Sequence, residues 1–169
     1  MKKVLASLVC ISFFFLSCKK SASSVSSNGS LSATINGVNQ SFNNILLAKN
    51  TAMSGQYSLY FSGTNGTSAT ADELSITVDA YQAITPGTYT LGGSSLGTTL
   101  PDIGYDQAYA QGGVANLYTS DITGTYTTTV TITAISSTSV QGTFSGTVVS
   151  SSGNTTKTIT NGKFNITFK

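Results

Sequence analysis

The chain has 169 residues, with eight basic residues against six acidic ones, no histidine and no tryptophan. Every basic residue is a lysine, so the arginine forks and basic stripe that nucleic-acid binding requires are missing. Absence of histidine excludes Ser-His-Asp and Cys-His catalytic arrangements and the usual zinc and copper ligand sets, and no cofactor is implied.

In chain order, the first element is a charged tip, Met1 to Lys3, followed by an apolar run from Val4 to Leu16. That run is well short of the ~20 residues a membrane-spanning helix needs, and reads as an export signal occupying residues 1–17. The sequence Phe15-Leu16-Ser17-Cys18 resembles a loose lipobox, in which a small residue precedes a cysteine that is acylated and becomes the new N-terminus. Palmitate-type acylation of Cys18 is therefore the expectation, with cleavage of an ordinary secretory peptide near Ser17 or Ala22 as the alternative. Cys10 lies inside the signal, so the remaining chain has no partner for a disulfide even in an oxidising compartment. Cleavage before Cys18 leaves six lysines against six acids.

Residues 18–30 are rich in serine and too polar to pack, and read as a flexible tether. From residue 31 to 169 the pattern changes to short alternating segments rich in Thr, Tyr, Phe, Val and Ile, which form strands. Leu31, Ala33 and Ile35 alternate with polar residues, and Asn36-Gly37 supplies a type I′ turn into Val38–Phe42. Tyr57, Leu59 and Phe61 share one strand face, as do Leu74, Ile76, Val78 and Ala80 on the next strand. Pro86-Gly87 turns into a short strand ending at Leu91, closed by Gly92-Gly93. Tyr126, Thr128, Val130, Ile132 and Ala134 form one face of a long strand, and Ser136 to Ser139 turn it back. The return strand places Val140, Gly142, Phe144, Gly146 and Val148 on its apolar face, where the two glycines would admit a close aromatic neighbour or let the sheet bend. After a turn at Ser150–Asn154, Lys157 to Thr160 lead to an Asn161-Gly162 turn and a last strand with Phe164, Ile166 and Phe168 on one face.

No segment has helical periodicity, and roughly ten such strands predict an all-β single domain, an antiparallel β-sandwich or flattened barrel. Outward faces of Thr and Ser argue against a membrane barrel. The segment VQGTFSGTVVSSSGNTTKTITNGKFNITFK, with the SATINGVNQSF opening and GTYTLGG, resembles a family of small envelope lipoproteins of bacteroidete-type bacteria, a domain of unknown function. The resemblance spans about residues 31–169. It implies a lipid-anchored envelope protein and brings no catalytic residues.

Gly97 to Asp121 is the long stretch that breaks the strand rhythm, and it gathers Asp102, Tyr105, Asp106, Tyr109, Tyr118 and Asp121. Aromatic faces stack on sugar rings while carboxylates accept hydroxyl hydrogen bonds, so this is the candidate ligand-binding segment, for a glycan. A hydrolytic version would need two of the six acids facing each other within about 5–10 Å. The bland alternatives are that the tyrosines are half-buried strand residues, and that Asp72, Glu73 and Asp79 are solvated strand positions. Calcium held by Asp102 and Asp106 has no loop motif behind it, and no metal is expected. The alternating threonines at 125–133 are one strand rather than an ice-matching array. The overall expectation is a non-enzymatic binding or structural module anchored in the bacterial outer membrane, on its periplasmic side, with the cell surface as the alternative. Its partners would be the membrane and a glycan or envelope protein, not nucleic acid. Addition of a strand to a partner through an uncovered sheet edge is a third option.

Overall fold

The computed structural model describes residues 29–92, 99–112, 116–152 and 155–168, and shows an all-β domain. Cys18, residues 19–28 of the tether, Gly93, Gly97, Asn154 and Lys169 lie outside the described residues; the last two residues assigned to the tether, Gly29 and Ser30, instead open β1, paired with Ile166 and Asn165. Eleven strands follow one another: β1 (Gly29–Ile35), β2 (Val38–Ser41), β3 (Asn44–Met53), β4 (Gln56–Thr64), β5 (Glu73–Ala80), β6 (Gly87–Leu91), β7 (Thr99–Asp106), β8 (Leu117–Ser120), β9 (Thr128–Ile135), β10 (Ser139–Ser150) and β11 (Thr156–Thr167). A 3-10 turn, Tyr109–Gln111, lies between β7 and β8.

All pairings are antiparallel, in the order β2-β1-β11-β10-β8-β7-β5-β4-β3. The long strand β10 serves two neighbours on one edge: Val140–Gly146 pair with β9, and Val148–Ser150 pair with β8. Strand β6 adds to the far side of β9. The first and last strands of the order, β2 and β3, are joined by only Phe42 and Asn43, so the sheet curls back toward itself. No ladder joins β2 to β3, and the sheet is not closed into a barrel. Inside the curl lies one core, contributed by Leu31, Phe42, Leu59, Phe61, Leu74, Ile76, Ile103, Ile132, Phe164, Ile166 and their neighbours.

Local chemistry explains most of the strand boundaries. Asn36 (φ 49°) and Gly37 (φ 84°) adopt the two positive φ angles of the expected type I′ turn, and Ile35 pairs with Val38 across it. A second turn of the same kind, Ser54 (φ 52°) and Gly55 (φ 81°), joins β3 to β4 and was not evident from residue type, because serine is a weak signal for the left-handed region.

Three expectations are corrected. Asn161-Gly162 is a bulge inside a continuous β11, not a turn. Three residues of β11 advance from Thr160 to Lys163 while β1 advances two, and β10 shows the same mismatch. Asn161 takes φ 53° as the inserted residue. A second bulge sits at Thr133, where β9 advances two residues against one in β10. It reverses the alternation, so Ile135 rather than Ala134 packs on the core. Tyr126 precedes the strand and is partly exposed. Finally, the stretch from 97 to 121 contains two strands of the sheet, β7 and β8, which lie between β5 and β10. Pro101 fits there because β8 reaches only Gly104–Asp106, leaving that part of β7 with one unpaired edge.

The glycines of β10 and β11 are places of close approach. A Cβ on Gly142 would collide with the Thr131 carbonyl oxygen and the Phe164 ring, and one on Gly162 with the Phe144 backbone and ring. Phe164 in turn contacts Phe61 (centroids 4.8 Å) and Phe144 (6.3 Å). Gly142→Ala is therefore expected to destabilise the domain by about 1–3 kcal/mol, as overpacking does. Gly87→Ala, with open space around it, is expected to stay within about 0.5 kcal/mol. Urea unfolding of the two variants measures both.

Candidate functional site

The six nominated residues lie on β7 and β8 and in the loops that follow each strand. Strand alternation sends Ile103 and Tyr105 inward and Asp102 and Asp106 outward. Tyr105 is 2% exposed and Tyr118, opposite it in the β7–β8 ladder, 9%. Their rings lie 6.3 Å apart, and Phe42 packs edge-on to Tyr105 at 6.4 Å. The ammonium of Lys157, on β11, sits 4.7 Å from the Tyr118 centroid and 5.6 Å from that of Tyr105. This is cation–π geometry, and it gives the charge a partner in a domain with few acids.

A residue not nominated, Asp72, organises this end. The Tyr105 hydroxyl donates to Asp72 Oδ2 (2.5 Å) and the Ala108 N–H to Oδ1 (3.0 Å). The carboxylate thereby holds Ala108, which adopts φ 52°, at the entry to the 3-10 turn. Asp72 is itself oriented by Asn65, whose Oδ1 accepts the Asp72 N–H (2.9 Å). Burial, then the Asp72 carboxylate, push the Tyr105 phenol well above its ordinary pKa, so it is a fixed donor and not a titrating group.

Two further carboxylates are also built into the fold. Where β8 diverges from β7, Asp102 Oδ1 accepts the Ser120 N–H (3.0 Å). There, too, the Ser120 hydroxyl accepts the Ile103 N–H (2.9 Å) and the Thr128 hydroxyl (2.8 Å). Side chains thus continue the pairing after the backbone ladder ends. Asp121 closes the next loop, accepting from the Thr123 N–H (2.8 Å), the Thr123 hydroxyl (2.6 Å) and the Tyr126 N–H (3.0 Å). Those bonds hold its pKa below the ordinary value.

Asp106 is different. It stands directly opposite Glu73 in the β5–β7 ladder, and its Oδ1 is buried with no hydrogen-bond partner. Burial raises the pKa of both carboxyls; the Asp72 charge adds to the effect at Asp106. At Glu73 the Ser62 hydroxyl opposes it and the Asp106 charge adds to it. Glu73 also acts, more weakly, on Tyr60, whose phenol is raised mainly by burial. Tyr109, 45% exposed, is the most accessible of the nominated aromatics. Among the described residues no group of three acids converges as a metal site.

The structure thus brings Tyr105, Tyr118 and Asp106 to one end of the sheet, with Asp72, Glu73 and Lys157. Asp102 and Asp121 are placed apart from them, each in its own backbone contact. Compared with known proteins, the chain matches no family model, no curated protein and no solved structure.

Two outcomes test this account. Tyr105→Phe removes a hydrogen bond to a charged acceptor and is expected to lower stability by about 1.5–3 kcal/mol at neutral pH. A carboxyl with a raised folded-state pKa costs stability as pH rises from its unfolded value through its folded one, because the charge must form in a poor environment. Asp106→Asn is therefore expected to raise the thermal midpoint at pH 7, and the gain is expected to vanish below the ordinary carboxylate range. Asp121→Asn is expected to do the reverse at neutral pH, since a depressed carboxylate stabilises the fold above its pKa and loses that contribution as pH falls. Thermal unfolding across pH 3–8 separates the two signs.

Proposed function

We propose that this is a lipid-anchored envelope protein whose β-domain is a non-enzymatic binding or structural module. Acylation at Cys18 is the anchor, and a serine-rich tether holds the domain off the outer membrane, on the periplasmic side. The lysine-tipped apolar run ending in Leu16-Ser17-Cys18 carries the reading. Each buried methylene of the acyl chains contributes about 0.8 kcal/mol, so two or three chains hold the protein permanently. Lys19 follows the cysteine in place of the aspartate associated with inner-membrane retention, which favours the outer membrane. The likeness of residues 31–169 to small bacteroidete-type envelope lipoproteins, and a sandwich-like enclosure of one core, agree with this.

In support of a non-catalytic role, Asp72, Asp102 and Asp121 spend their hydrogen-bonding capacity on backbone and tyrosine donors of the fold. A glycan is the ligand class that the tyrosine-rich composition favours. In the 97–121 segment that reading rests on Tyr109 and Asp106, because Tyr105 and Tyr118 are buried.

Cys18→Ala is expected to abolish metabolic labelling with palmitate and to release the protein from the membrane fraction. Labelling that persists in the variant would refute the anchor.

A further inference from the structure

At the opposite end of β4 and β5 from the Asp72 cluster, a shallow cleft of about 240 Å³ lies between the ends of β4, β5 and β7. Ser58, Asp79 and Leu100 are cross-strand neighbours on its floor, and Gln56, Tyr57 and Tyr81 form its sides. Tyr81 is 67% exposed and Leu100 47%.

The polar groups here differ from those at the other end. Among the described residues, the side chains of Gln56, Tyr57, Asp79 and Tyr81 make no hydrogen bond within the protein. Asp79 lines the cleft with Tyr81 and makes no hydrogen bond within the protein, whereas Asp72, Asp102 and Asp121 are all tied into backbone.

We propose that this cleft binds a neutral sugar, as the ligand site of the binding module inferred above, on which the proposal rests. The chemistry selects the ligand class. A Tyr81 ring face offers a surface for the C–H face of a pyranose. Asp79 accepts two adjacent hydroxyls, and Gln56 and Ser58 both donate and accept. No lysine lines the cleft, so an anionic ligand would meet the Asp79 charge unrelieved. The volume lies below the ~300–1,000 Å³ of pockets that enclose drug-sized ligands, which fits one or two sugar rings lying against an open surface.

The test is saturation-transfer difference NMR on the full chain in a sugar-free detergent, with maltotriose, cellotriose and chitotriose as probes and tetramethylammonium as the competing cationic ligand. At least one trisaccharide is expected to bind in the millimolar range. Tyr81→Ala and Asp79→Asn are each expected to weaken it about tenfold or more, about the fold-change that one lost polar or stacking contact produces. Val38→Ala, at an exposed position outside the cleft, is expected to leave binding unchanged. Both cleft positions are exposed, so folding is not at stake, and circular dichroism of the variants checks it. No binding by any trisaccharide, binding unaffected by both cleft variants, or saturation by tetramethylammonium alone would overturn the proposal. Palmitate labelling of the same preparation is read separately, so failure of the cleft and failure of the anchor give different results.

Discussion

The seating of Phe164 against Gly142 is the contact on which the rest of the sheet depends. Strands β10 and β11 are its centre, and the ring of one occupies the space that a side chain on the other would fill. Two residue pairs along, Phe144 lies against Gly162 in the same manner. These two aromatic-on-glycine contacts bring the strands' inner faces close enough for Phe61, from the far limb of the sheet, to reach Phe164. The bulge at Asn161 lies beside them and sharpens the local twist. A curled sheet enclosing one core, without a closing ladder, is the outcome.

Polar chemistry is organised around the places where that curl interrupts backbone pairing. Asp102 and Ser120 take over where β7 and β8 part, Asp72 holds the turn after β7, and Asp121 holds the loop before β9. A protein with six acids has put half of them to this use, in a domain with no disulfide to share the work. Asp106 and Glu73, facing each other in the ladder, are the exception, and their mutual and desolvation costs run against stability.

Alternation made the β1–β2 hairpin, β5, and the β9–β10 hairpin legible in the sequence, because each has one buried face and turn residues that force a single register. The dipeptide Asn-Gly was legible only as a left-handed backbone position. At 36–37 it reverses the chain and at 161–162 it does not, because there β1 and β10 already flank both halves of β11 and leave no partner for a hairpin. In β7 the inward alternation of Pro101, Ile103 and Tyr105 is clear in retrospect, yet Pro101 and Gly104 are ordinarily strand breakers. Asp72 reads in the sequence as a solvated strand position because its partners are 33 and 36 residues away. The Tyr57–Tyr81 cleft is assembled from three strands and has no local signature at all.

Strand β1 pairs with β11, and Gly29 lies opposite Ile166. Strand β11 therefore joins the sheet through contacts that link the first and last described strands. Such a high contact order makes folding slow relative to local-contact folds. A fragment without β11 lacks the Phe164 seat against Gly142 and cannot form this core. The topology thus makes the core wait until β1, β10 and β11 have all met, however early the local hairpins form.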